Sequence, residues 1–262
     1  MGSATTQALA ASNAALDAVS GVDLGVAGEL FAAGRALADT PQLSGALADR
    51  AASDDSRAHL VGTVFASLGE TTRSLLQTVA RQRWSSPDDL VDAVEELGIR
   101  VAAAVDAGAD VEGELFDFAR VVARTPQLEL ALGSRLGDAA EKGRLVEALL
   151  NGRASTATVL IASSVIQRPR ERRVRELLAR AEQIVAGARG RTVATVTSAV
   201  ALNQAQTERI AAMLKARYDT EIAVNTVVDP TLVGGLRVQI ADDVIDASVS
   251  SRLADLRQRL AG

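Results

Sequence analysis

The sequence has no cysteine and a single histidine, His59, among 262 residues. Without thiols there is no disulfide framework, no thiolate metal site and no cysteine nucleophile. A Ser-His-Asp triad or a zinc site would have to use His59 or do without histidine, and we read His59 as a surface or helix-face residue. Aromatic residues make up only 2% of the chain. That is too few for a platform that stacks sugars or bases, and it suits a core of close-packed helices. Positive charge is not in excess either: the formal net charge is -5. A diffuse acidic balance argues against nucleic acid as the main partner. No continuous apolar run reaches the length of a membrane span. The opening stretch MGSATTQALAASNAALDAV lacks the basic segment of a secretory signal. A soluble cytoplasmic chain is therefore expected.

What is present in quantity is apolar surface, at 48% of residues, with 23% charged. This is enough for one large or two modest domains. ELFAAGRALADTPQLSGAL, from Glu29 to Leu47, recurs as ELFDFARVVARTPQLELAL, from Glu114 to Leu132. The same offset carries Leu60-Val61 onto Leu145-Val146 and Gln82-Arg83 onto Gln167-Arg168. A constant offset predicts two copies of one unit, about 29–100 and 114–187. Within each copy the apolar residues fall at helical spacing, as in Leu30, Phe31, Gly34 and Leu37. Thr-Pro-Gln-Leu reads as a helix start, with the Thr40 or Thr125 hydroxyl capping free amides and proline in the first position. Ser86-Pro87-Asp88-Asp89 reads the same way. An all-helical bundle over residues 1–187 follows. The basic run QRPRERRVRELLAR, 167–180, is either the solvated face of a helix or a contact for an acidic partner. Val174, Leu177, Leu178 and Ala181 supply its buried stripe.

The texture changes after Gly190. RTVATVTSAV is rich in β-branched residues and reads as a strand. Asn203 and Gln206 have the spacing of a capping box, opening a helix with Leu202, Ile210, Met213 and Leu214 on its apolar side. EIAVNTVVD is a second strand. In GLRVQI, Leu236, Val238 and Ile240 alternate with Arg237 and Gln239. Asp242-Asp243 marks a hairpin tip before Val244-Ile245. Val249, Leu253, Leu256 and Leu260 recur at helical spacing and predict a terminal amphipathic helix. The expected fold is mainly α: a helical bundle with an internal repeat, then a small α/β domain over 190–262.

Gly234-Gly235 invites a nucleotide-loop reading, which fails. A phosphate loop needs a following lysine and a helix N-terminus, and a dinucleotide fingerprint needs three spaced glycines between strand and helix. Here Leu236, Arg237 and a strand follow, so the pair serves a turn. Asp229, Asp242, Asp243 and Asp246 form the one acidic cluster that an enzyme could use. Their spacing lacks the ligand pattern of a calcium loop, and they read as turn and cap residues.

Taken together, TVATVTSAVALNQAQTERIAAML and VVDPTLVGGLRVQIADDVIDASVSSRLADLRQRL resemble the C-terminal part of the delta subunit of bacterial F-type ATP synthase. This family is related to the oligomycin-sensitivity-conferring protein. The resemblance is carried by Thr197, Ser198 and Ala199 before a helix, the Asp229-Pro230 turn, and Gly234-Gly235. It is carried further by Asp246 with Ser248, and by Leu253, Leu256 and Leu260 near the end. The stretch from about 111 to 187, with ARTPQLELAL and KGRLVEALL, is similar to the family's helical bundle. Ala247 stands where the family usually has glycine. The chain also exceeds the usual length by roughly one repeat copy, which implies a duplicated or extended helical region. The resemblance implies a non-catalytic stator subunit without metal or cofactor, with no nucleic acid partner. It would hold the N-termini of the alpha subunits and the C-terminus of the b subunit, and resist rotor torque during proton-driven ATP synthesis. It would sit peripherally on the cytoplasmic face of the cell membrane, associated only through the complex. Leu253, Leu256 and Leu260 are candidate partner contacts, although internal core is the favoured reading for them. The alternative function is a free helical-repeat adaptor that binds amphipathic peptide helices.

Overall fold

A computed structural model of the chain describes residues 2–134, 137–169, 173–240 and 243–248. The backbone falls into two compact units, Met1–Ile184 and Val185–Gly262. The first contains α1 (Ser3–Asp17), α2 (Leu24–Asp39), α3 (Pro41–Leu47), α4 (Asp54–Val64), α5 (Glu70–Arg81) and α6 (Pro87–Val105). It continues with α7 (Val111–Arg124), α8 (Pro126–Gly133), α9 (Ala139–Leu150), α10 (Thr156–Ile166) and most of α11 (Val174–Ala188). The second contains β1 (Arg191–Ser198), α12 (Gln204–Tyr218), β2 (Glu221–Val228), β3 (Leu236–Ile240) and β4 (Asp243–Asp246). The fold class is the one expected: mainly helical, with a small mixed sheet in the last third.

Side-chain caps set where most helices begin. Asp23, Ser53, Ser86, Asp110, Asp138 and Ser155 each accept the amide of the residue three positions on. Each such cap contributes about 1 kcal/mol. Asn203 and Gln206 form the reciprocal capping box of α12. The Thr-Pro starts behave differently from the expectation. Pro41 and Pro126 do occupy the first helical positions, but neither threonine hydroxyl caps. At Thr40 the carbonyl alone serves the first turn, where the Leu43 and Ser44 amides donate to it. The Thr125 carbonyl takes Leu128 and Glu129 in the same way.

Helix α6 is the spine of the first unit and packs against α1, α2, α3, α5 and α10. Its buried residues, among them Leu90, Val91, Ala93, Leu97, Ile99 and Val101, go right round the helix. Such all-round burial marks a core helix, not a surface one. Gly98 permits the closest approach: a Cβ there would lie 3.1 Å from the Phe31 ring of α2. The single tryptophan, Trp84, is fully buried and donates its indole N–H to the Val79 carbonyl at 2.8 Å.

The sheet has the order β2-β1-β3-β4. β1 runs parallel to β2, as the α12 crossover requires, and antiparallel to β3. Ala194, Val196, Val238 and Ile240 form one face, which packs with Ile210 and Leu214 of α12. Arg237 and Gln239 point the other way and are exposed, as the alternation in the sequence requires. Asp243 lies within β4, paired with Ile240, so it belongs to the strand and not to the hairpin tip. Asp242 and the expected terminal helix with Leu253, Leu256 and Leu260 fall outside the described residues.

Candidate partner-binding surfaces

The family-motif residues of the second unit meet at one end of the sheet. Ser198 pairs with Val228 on one side and Leu236 on the other, and Thr197 pairs with Arg237. The Ser198 carbonyl accepts the Asp229 amide at 2.8 Å, and its hydroxyl donates to the Val200 carbonyl at 2.6 Å. Asp229 then turns the chain. One carboxylate oxygen accepts the Thr231 hydroxyl at 2.7 Å and the Thr231 amide at 2.9 Å. These bonds hold the Asp229 carboxyl below the usual range, the Thr231 hydroxyl contributing most. Pro230 sits inside this turn, where its fixed φ is an advantage.

Gly234 and Gly235 have φ of 68° and 81°. A Cβ on Gly235 would lie 2.5 Å from the Ala247 carbonyl oxygen and 2.7 Å from the Ser248 Cα. The space beside the glycine pair is thus filled by the chain's own backbone, and no helix opens there. Asp246 anchors that backbone. Its Oδ1 accepts the Ser248 amide at 3.0 Å, and its Oδ2 accepts both Nη2 and Nε of Arg237 at 2.9 and 3.2 Å. The bonds to Ser248 first, then Arg237, pull its pKa down to about 2. Ala247 needs no glycine: among the described residues Asp219 is the only non-glycine with positive φ. Thr197, Ser198, Asp229, Pro230, Gly234, Gly235, Asp246 and Ser248 therefore form a stitched corner, with both carboxylates committed to turns.

Two glutamates that the sequence alone left without a role organise the helical unit. Glu29 accepts the Gly69 amide at 3.1 Å and the Thr72 hydroxyl at the start of α5. Glu114 does the same for α10, accepting the Ser155 amide at 3.0 Å and the Ser155 and Thr158 hydroxyls at 2.6 and 2.5 Å. Burial works against the Glu114 charge, but the Ser155 and Thr158 bonds outweigh it and its pKa falls. A carboxylate at a helix N-terminus also meets the positive end of the dipole. The signal was in the sequence, since both glutamates open the repeated ELF motif.

The basic run is partly turned inward. Arg168 and Arg180 have side chains only 13% and 21% exposed, and they face Asp92 and Glu95 of α6. The closest contact is Arg180 to Glu95 at 3.2 Å. Arg173 and Arg175 remain exposed, and 170–172 lie outside the described residues. A separate apolar cavity of about 250 Å³ opens between α7 and the end of α9, lined by Phe118, Val121, Leu149 and Leu150. Val121 is 52% exposed and lies beside the buried stripe Val111, Leu115, Phe118 and Val122 of α7. Among the described residues no three His, Cys, Asp or Glu side chains gather as a metal site. No described helix is long and apolar enough to cross a membrane.

A helical unit and a four-stranded unit stitched by these turns define the class, and sequence comparison supplies the family. The family model described as ATP synthase delta (OSCP) subunit matches residues 99–260. The chain is 48% identical to ATP synthase subunit delta of Leifsonia xyli subsp. xyli over 264 residues, covering 100% of both chains. It is 39% identical to the subunit delta of Streptomyces avermitilis over 267 residues, covering 98% of each. A third relative, from Acidothermus cellulolyticus, is 42% identical over 89% of this chain and 87% of its own. The chain belongs to the ATP synthase delta (OSCP) subunit family. The family match begins inside α6, whereas the full-length relatives extend through the helices before it.

Proposed function

We propose that this chain is the stator connector of an F-type ATP synthase, joining the catalytic head to the peripheral stalk. The helical unit holds N-terminal segments of the alpha subunits. The second unit, whose last residues include Leu253, Leu256 and Leu260, holds the C-terminal end of the b subunit. The chain does no chemistry of its own. It transmits a static load, so that rotor torque drives synthesis instead of turning the head, and it stays peripheral to the cytoplasmic face through the complex. The observation that carries this reading is family membership over the full length together with two compact units on one chain. Two modest contacts on one chain reinforce each other through effective concentration. The commitment of Asp229 and Asp246 to turns fits a scaffold better than a reactive cleft. Calorimetric titration of the purified chain with an alpha N-terminal peptide, and separately with the soluble C-terminal region of b, tests it. Saturable binding of both is expected. Binding of neither would overturn the connector reading and favour a free helical adaptor.

A further inference from the structure

The helical unit uses the same side-chain roles twice. Arg57 of α4 is buried and donates to the Asp49 carbonyl at 2.8 Å. Lys142 of α9, 85 positions on, is buried and donates to the Ser134 carbonyl, again 85 on. Glu29 and Glu114 share the capping role described above. The offset then grows, because α9 is one residue longer than α4, and the chain beyond it turns at Gly152, φ 72°. Buried Leu75, Leu76, Val79 and Ala80 of α5 match buried Ile161, Ala162, Val165 and Ile166 of α10 at 86 positions. Buried Leu90, Val91, Val94 and Glu95 of α6 match Leu177, Leu178, Ala181 and Glu182 of α11 at 87. These stripes correct the constant offset read from the sequence. Gln82 corresponds to Arg168, not to Gln167.

The remaining helix, α1, has its buried stripe at Thr5, Ala8, Ser12 and Leu16. At 85 positions on, that stripe falls on buried Leu90, Ala93, Leu97 and Val101, which belong to α6. Helix α6 therefore matches the last helix of one set and the first of the other. The two stripes lie on different sides of α6 and together supply seven of its buried positions, Leu90, Val91, Ala93, Val94, Glu95, Leu97 and Val101. We infer that the helical unit is two overlapping six-helix copies, α1–α6 and α6–α11, sharing α6, and that the first copy is a built-in cap over the α6/α10 face of the second.

The contacts at that face carry the capping half of the inference. Helix α2 packs on both α6 and α10. Phe31, Gly34 and Arg35 of α2 meet Glu95, Ser164 and Arg168 with a gap of only about 10 Å³ between them. Ser163 and Ser164 of α10 are buried there. In the first copy the corresponding outer face of α1 shows Thr6, Gln7, Ala10, Ala11 and Ala14 to solvent, and Thr78 of α5, the counterpart of Ser164 at 86 positions, is half-exposed. The matching α6 positions are Val91, Asp92, Glu95, Glu96 and Ile99. Covered positions are apolar or ionic, whereas the terminal ones are small and polar, as the end of a stacked array requires. An external helix could enter the α6/α10 face only by displacing α2.

The absence of cysteine makes both halves testable in the full chain. For the cap, Ser164→Cys is compared with Thr78→Cys, its counterpart in the first copy, for reaction with a thiol reagent under native conditions. Ser164→Cys should react at least roughly a hundredfold more slowly, because access requires opening of the packed unit. Comparable rates would overturn the cap. For the shared helix, amide exchange is read in the full chain carrying Phe31→Leu, a mild change at the α2/α6 contact. Protection in α9 and α10 should fall by the same factor as in α4 and α5. Unchanged protection in α9 and α10, with loss confined to the first copy, would overturn the shared-helix architecture.

Discussion

Replacing Gly235 with alanine separates two reasons for a glycine that are often conflated. Its φ of 81° is one, and forcing an L-residue into the left-handed region costs about 1–2 kcal/mol. The second reason is collision: the new Cβ would sit 2.5 Å from the Ala247 carbonyl oxygen. That atom is backbone and cannot rotate away, so a further 1–3 kcal/mol, roughly, is expected from overpacking. Gly190 supplies the control. Its φ is 67°, but a Cβ there would meet nothing within 4 Å, so Gly190→Ala should cost only the first term. The second unit, residues 185–262, should have a stability on the order of 4–12 kcal/mol. Gly235→Ala then removes a large part of it, and Gly190→Ala a small part. Urea unfolding can follow the two units apart, since the one tyrosine, Tyr218, lies in the second and the one tryptophan, Trp84, in the first. The Tyr218 ring resonances should lose their native shifts at least about 1 M earlier in Gly235→Ala, with the Trp84 emission transition unmoved. Equal effects of the two substitutions would refute the close-approach argument.

Other perturbations have equally definite outcomes. Arg57 makes six hydrogen-bond contacts from its five N–H groups, to Asp54 and to the carbonyls of Asp49, Ala52, Ala80, Arg81 and Gln82; Arg57→Met leaves those carbonyls without this donor and should destabilise the helical unit by at least about 1–3 kcal/mol, read as a lower midpoint of helical ellipticity in urea. Glu114→Gln removes the charge that the Ser155 and Thr158 donors face and should cost about 1–2 kcal/mol; a change below about 0.3 kcal/mol in the same assay would refute the capping role. For Asp246 the folded pKa is about 2 against 3.8 unperturbed. A depressed carboxyl stabilises the fold above the unfolded value and loses that contribution as pH falls from about 4 to 2. Thermal unfolding of the second unit should show this acid loss, and Asp246→Asn should flatten it; a carboxyl titration near 3.8 by NMR would contradict the geometry.

The sequence disclosed those features whose physics is local. The alternation Leu236, Val238, Ile240 against Arg237 and Gln239 specified a half-buried strand, because a period of two permits only one register. Asn203 with Gln206 specified a helix start, since both halves of the box lie within one turn. Thr40 misled for a local reason too. Residue type suggested a hydroxyl cap, whereas the cap depends on how backbone and side-chain torsions combine at that residue, which the sequence does not display. The acidic residues Asp92 and Glu95 were invisible as a site because their partners, Arg168 and Arg180, are distant in the chain. The basic run consequently looked like a solvated face. Gly235 was read correctly as a turn glycine, but its near neighbour Ala247 emerges only when β3 and β4 are paired.

The repeat shows the same division between local and distant information at a larger scale. Matching letters such as ELF and TPQL reveal that a unit recurs, but they fix its edges only where residues are identical. Identity fades where a residue is inserted, as before α10, and a constant offset then assigns Gln82 to the wrong partner. Burial repairs the alignment, because a packed stripe cannot slip by one residue without turning its side chains outward. Once the stripes are used, α6 satisfies two sets of neighbours at once, which explains why its sequence, LVDAVEELGIRVAAAV, has no polar face of its own. Its charged residues Asp92, Glu95 and Glu96 find partners inside the fold, with Arg100 and Asn13 serving Glu96. A helix with two apolar faces and internally paired acids is what the junction of two bundles demands, and a single copy would leave it half uncovered.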